Sequence, residues 1–139
     1  MLTVWGFAVA AYCVVGAGLA AQGLRYLLAS QYMHYHAEVV HEGWGQLQRN
    51  EQRLILGLLK GFGAGMLCLG LACVVVALGP LLDHAYAAHW ILALITVTYT
   101  ALLVHITRFA LLPGAAPIAV TTGMLVLAVA AALATCLPL

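Results

Sequence analysis

The chemically richest stretch of the chain is Gln31-Tyr-Met-His-Tyr-His-Ala-Glu-Val-Val-His-Glu-Gly-Trp44. On a helix, His34, Glu38 and His41 are spaced i, i+4, i+7 and share a face. Two imidazoles and a carboxylate so placed, with His36 beside them, make a candidate set for zinc, with non-haem iron or copper as further options. The commoner use of such a segment is structural: an interfacial helix whose tyrosines, histidines and Trp44 sit at headgroup depth. His105 is the one histidine from another segment placed to join this group.

These residues are punctuation between apolar runs. Met1–Leu24, Gly61–Leu82, Ala85–Thr107 and Phe109–Leu139 contain no Lys, Arg, Asp or Glu. Each exceeds the roughly 20 residues a helix needs to cross about 30 Å of hydrocarbon. Hydrophobic residues make up 65% of the chain and charged ones 6%, where a soluble domain carries roughly 25% charged residues. In lipid the backbone must satisfy its own hydrogen bonds, so the spans are helices or a closed barrel. Long runs without strict alternation exclude the barrel. The expected fold is all-α: one integral membrane four-helix bundle, up-down-up-down, over residues 1–139. Its helices run over about 3–29, 53–79, 85–112 and 117–137, with a polar, interfacial helical segment between the first two. Gly79-Pro80 ends the second span, because proline disfavours helix in the residue before it. Pro117 suits the first turn of the fourth.

Orientation follows from the cations. Arg25, Arg49, Arg53 and Lys60 flank or occupy the first connection, and Arg108 lies one turn before the third. The second connection has Asp83 and no Lys or Arg. Both termini are therefore expected outside, in a bacterial inner membrane. No Lys or Arg precedes the first run, so it reads as an uncleaved span rather than a signal peptide. A net charge of +1 provides no basic patch for nucleic acid. Cys13, Cys68, Cys73 and Cys136 lie in apolar spans without CxxC spacing and read as small packing residues. His84 and His89 fall on the outer side with Asp83 and Trp90, as interface anchors.

Two features bear on function. Gly57, Gly61 and Gly65 repeat every four residues, and small residues let helix backbones approach closely in lipid. They are expected to pack against the first or fourth span, or to form an oligomer seam or a groove for a lipid-like or quinone-like ligand. The second feature is a cytoplasmic polar cluster. Ionisable groups at this depth are costly unless paired, which brings Lys60, His105 and Arg108 toward the polar segment. Thr96, Thr98, Tyr99 and Thr100 make the middle of the third span its most polar part.

The segment Tyr32-Met33-His34-Tyr35-His36-Ala37-Glu38, followed by Trp44, Leu47, Gln52, Lys60, Gly63 and Gly65, resembles a group of small uncharacterised bacterial four-span membrane proteins. Their pattern is Y-M-x-Y-H-x-E, then W-x-x-L, then Q before a glycine-bearing second span. The resemblance covers about Tyr32 to Gly65 and implies a four-span membrane protein without assigning an activity. That pattern has proline at the place of His34 and glycine at that of His41, so of the metal set only His36 and Glu38 are shared. It shifts the expected functional face to Tyr35, His36, Glu38, Trp44, Gln52 and Lys60, with His105 and Arg108 beside it.

The leading functional expectation is a non-enzymatic accessory subunit, or a self-associating bundle binding a lipid-like ligand or a larger membrane partner. A metal-binding or transport protein using the His-rich segment is the first alternative. The second is an enzyme similar to the MAPEG family, which carries Arg, Asn and Glu in its second span. Here that span has no charged residue or amide past Lys60. An isomerase of the emopamil-binding type needs carboxylates within spans, and Glu38, Glu42, Glu51 and Asp83 all lie in connections.

Overall fold

The computed structural model describes residues 2–40, 43–110 and 116–134. Five helices form: α1 (Leu2–Leu27), α2 (His34–Val40), α3 (Arg49–Leu78), α4 (Tyr86–Ala110) and α5 (Ala116–Ala134). A single 3-10 turn, Trp44–Gln46, lies between α2 and α3. No strand occurs among the described residues. Helices α1, α3, α4 and α5 are each long and apolar enough to cross a membrane. Large side chains such as Val14, Val75 and Leu94 point outward, as lipid-facing residues do.

Helix α3 begins at Arg49, about a turn before the expected start. The Glu51 carboxylate accepts the Gln48 backbone N–H at 2.8 Å, satisfying a donor that no helical carbonyl reaches. The polar residues Arg49 to Gln52 therefore extend the helix instead of delaying it. At its far end, α3 stops at Gly79. The turn to α4 is anchored by fully buried Leu81 and held by hydrogen bonds from the Leu81 N–H to the Val76 carbonyl and from the Ala85 N–H to the Pro80 carbonyl. His84 takes a positive φ of 58° there, a conformation that costs a non-glycine residue about 1–2 kcal/mol. Its ring packs edge-on against Trp5, centroids 5.1 Å apart.

The closest helix contact joins α1 and α3, and glycines make it possible. A Cβ on Gly16 would lie 2.8 Å from the Gly70 carbonyl oxygen, and one on Gly63 would lie 2.8 Å from that of Gly23. One on Gly23 would meet the Leu67 nitrogen at 2.5 Å. Gly16 faces Gly70 and Gly23 faces Gly63, so the two helices run antiparallel. Each pair is seven residues apart, two helical turns on one stripe. Backbone-to-backbone approach gains dispersion contacts where lipid removes the hydrophobic drive.

This corrects the expectation that the four-residue glycine row packs against the first or fourth span. Nothing lies within 4 Å of a Cβ placed on Gly57, Gly61 or Gly65, and all three are exposed. At about 100° per residue that row sits on the opposite side of α3 from Gly63, Met66, Gly70, Cys73 and Ala77, which are buried. The four-residue repeat thus packs against neither α1 nor α5.

Helix α1 also packs on α5, and α5 on α4, whereas α3 and α4 touch only sparsely. Two apolar clusters fill the interior. One, toward the Gly79–Ala85 turn, gathers Ala8, Tyr12, Cys73, Leu81, Leu92 and Ala131; the other gathers Val15, Leu19, Tyr26, Met66, Leu103 and Ala128. His89 is 1% exposed, which corrects its placement as an interface anchor. Its ring lies 5.9, 5.8 and 5.3 Å from those of Trp5, Tyr12 and Trp90, and it hydrogen-bonds the Ala132 backbone.

Candidate functional site

Because α3 and α4 separate away from their shared turn, a cavity of about 990 Å³ opens at the end where α1 meets the polar segment. Its walls are apolar, with Leu58, Phe62 and Met66 from α3, Leu103 and Ile106 from α4, and Val120 and Met124 from α5. Gly18 lies deepest on α1. The polar side chains gather at the mouth: Gln22, Arg25 and Tyr26 from the last turns of α1, Tyr35 and His36 from α2, and Thr107 and Thr121 from α4 and α5. The Thr107 and Thr121 hydroxyls bond each other at 3.2 Å, joining those helices beside the cavity.

Helix α2 is short; one hydroxyl bond ties it to α1 over the mouth, and local contacts order its first turn. The Tyr35 and Tyr26 hydroxyls lie 2.9 Å apart in a hydrogen bond. Burial first, and then this bond, push the Tyr35 phenol above its usual range, while Arg25 and a hydrogen bond from Gln22 pull the other way. The phenol therefore stays protonated and serves as a hydrogen-bonding group. The Met33 backbone N–H donates to His36 Nδ1 at 3.3 Å, which leaves the neutral ring's proton on Nε2. The Tyr35 and His36 rings pack against each other at a tilt of 59°, centroids 4.4 Å apart. Replacing Tyr35 with Phe should remove the hydroxyl bond and weaken α2 docking by about 1 kcal/mol. Faster amide exchange over His34–Ala37, with α1 unchanged, is the expected signature.

Burial lowers the His36 pKa below its ordinary value, so the folded protein disfavours the imidazolium. The unfolded chain takes up the proton first. The stabilising contribution of neutral His36 is complete above the unfolded value of about 6.5 and is lost as pH falls toward the lower folded value. Protonation at Nδ1 also breaks the bond from Met33. Amide exchange in α2 should therefore accelerate between about pH 8 and about pH 5, the imidazole range, beyond the intrinsic trend. His36→Gln should flatten that excess.

Of the expected functional face, Tyr35 and His36 reach the cavity, whereas Trp44, Gln52, Lys60, His105 and Arg108 do not. Gln52 Nε2 donates to the Trp44 carbonyl at 2.7 Å, and the Trp44 ring packs edge-on against Tyr32 at 5.1 Å. This pair ties the connection to the start of α3. Lys60, His105 and Arg108 are exposed and do not line the cavity. The side chain of Glu38 and all of His41, Glu42 and Cys136 lie outside the described residues. Among the described residues, no three His, Cys, Asp or Glu side chains gather into a metal-holding group; His34 is exposed. Cys13, Cys68 and Cys73 are free thiols.

Sequence reasoning missed Arg25, Gln22 and Tyr26 as site residues. Gln22 was the available signal, an amide inside an otherwise apolar run, where polar groups face a cavity or partner. The polar middle of α4 has a local explanation. Thr96 and Thr100 are fully buried, and each hydroxyl donates to a carbonyl one turn back, Leu92 and Thr96, at 2.6 Å. Such back-bonding satisfies the hydroxyl within its own helix. Comparison of the chain with family models, curated proteins and solved structures gave no match.

Proposed function

We propose that this is a small polytopic membrane protein that takes an amphipathic, lipid-like molecule from one leaflet into the cavity between α3 and α4. It acts without catalysis, as a binding or accessory component for a larger membrane partner. The observation that carries this reading is the asymmetry of the cavity: apolar walls throughout its depth and polar side chains only at the mouth. Few precisely placed polar groups on an apolar concavity are what a ligand site presents. From Tyr26 to Gly18 on α1, and from Leu58 to Met66 on α3, eight residues span about 12 Å. That is less than half of the roughly 30 Å hydrocarbon core, so the ligand belongs to one leaflet.

In this reading the four spans form an up-down-up-down bundle with both termini outside, in a bacterial inner membrane. The mouth then faces the cytoplasmic headgroups, beside Arg25, Arg49 and Arg53. A cytoplasm-active reporter fused after Leu139 should stay silent, and a strong signal would reverse the leaflet assignment.

Ala21 is exposed and lines the cavity, so Ala21→Trp fills it from the α1 wall without entering the α1–α3 contact. Native mass spectrometry of protein released from membrane nanodiscs should show a retained amphiphile on the wild type. The variant should lose it while keeping its unfolding temperature. Equal retention by both proteins would sink the proposal.

A further inference from the structure

The cavity mouth is built unevenly in charge as well as polarity. Arg25 is the single cation lining it, and no carboxylate lines it among the described residues. The other polar groups there are neutral: the Gln22 amide, the Tyr26 and Tyr35 phenols, and His36, whose charged form burial disfavours. Arg25 is exposed at the mouth, and a guanidinium at the edge of an apolar cleft favours an anionic head there over a neutral or cationic one. One fixed positive charge matches a monoanion.

Shape narrows the head further. Tyr35 and His36 place α2 across the mouth, tethered by the Tyr26–Tyr35 hydroxyl bond. A head that ends at the mouth fits beneath this helix. A phosphodiester continues into a second substituent on its far side, where α2 lies. A carboxylate terminates its chain, is planar, and offers about four lone-pair sites to the fork of an arginine and to neighbouring donors. The Gln22 amide, the phenols and His36 Nε2–H supply donors of that kind. Below the mouth, Phe62, Met66, Leu103 and Met124 form the apolar wall for a chain. Two methionines give it a surface that can repack around chains of different shape.

We infer that the ligand of this cavity is a single-chain fatty carboxylate, its head paired with Arg25 beneath α2 and its acyl chain lying between α3 and α4. The inference rests on the cavity being an amphiphile site, and it adds the charge and form of the head. Arg25 sits in the last turn of α1, where a cation also complements the helix dipole. Its role in binding must therefore be separated from that structural one.

The test uses the full chain in uncharged detergent, titrated separately with oleate, monooleoylglycerol and dioleoylphosphatidylglycerol and read by native mass spectrometry. The first two share an acyl chain and differ in head charge; the third is anionic with a two-sided head. Oleate should bind the wild type more tightly than either of the others. Arg25→Gln should weaken oleate by about tenfold to about a hundredfold, the range of a lost charge-assisted hydrogen bond. It should leave monooleoylglycerol unchanged, a readout that loss of a helix-end charge alone would not separate. Arg25→Lys, which keeps the charge and loses the fork, should fall between. Equal binding of oleate and monooleoylglycerol would overturn the carboxylate and leave the amphiphile cavity standing. Preference for the phospholipid would overturn the terminal head. Binding of none of the three would remove the cavity function and this inference together.

Discussion

Gly70→Leu should unfold in detergent at temperatures that leave Gly61→Leu intact. A side chain on Gly70 meets the Gly16 carbonyl and the Ala20 nitrogen of α1, and a backbone cannot swing aside as a rotamer does. Overpacking a tight core costs about 1–3 kcal/mol even where side chains can yield. Here the only relief is to separate α1 from α3. Against a total stability of about 5–15 kcal/mol, loss of their mutual packing takes away much of the fold. Gly61 has open space around its Cβ position, so Leu adds only a lipid-facing side chain. Thermal unfolding of both variants beside the wild type measures the contrast. Equal destabilisation would show that the Gly61 face is packed as tightly as the Gly70 face and would contradict the open space around it. A change of oligomeric state in Gly61→Leu alone would reveal a partner on that face.

His89→Ala should be the most damaging change at the other end of the molecule. The ring is almost fully buried among Trp5, Tyr12 and Trp90 and bonds the Ala132 backbone. Truncation leaves a cavity between aromatic rings and removes that bond, a combined loss of about 2–4 kcal/mol. His84→Ala gives the control, because His84 is exposed and contributes mainly its edge contact with Trp5. Its loss should shift the unfolding temperature far less. Comparable shifts for the two would mean that the buried imidazole is not a packing centre.

The apolar runs made the four long helices legible, because length and hydropathy decide whether a helix can cross lipid and neither depends on tertiary contacts. Their packing was less legible. Gly57, Gly61 and Gly65 advertise a close-packing face by spacing alone, yet the contact needs a matching row on the partner. Gly16 and Gly23 supply that match to Gly63 and Gly70 only through their common seven-residue interval. His89 carried a similar hint: Leu92, Ala93, Thr96 and Leu103 follow it at helical spacing on the buried side of α4. Of the site, Tyr35 and His36 stood out in the sequence because aromatic and imidazole groups cluster in their segment. Arg25, Gln22 and Tyr26 did not, since they belong to the end of a span and join the site only when α2 folds back over α1. Lys60, His105 and Arg108 were grouped with it by depth in the membrane, but depth does not set which way a helix face turns.

A photoreactive amphiphile with a diazirine in mid-chain, equilibrated with the reconstituted protein and mapped by peptide sequencing, probes the cavity directly. If an acyl chain occupies it, adducts concentrate on Phe62, Met66 and Met124. Met66 is only 2% exposed, whereas lipid-facing Val75 and Leu94 are 69% and 70% exposed, so simple exposure ranks them in the opposite order. Labelling that follows exposure, with Val75 and Leu94 marked heavily and Met66 spared, would contradict an occupied cavity.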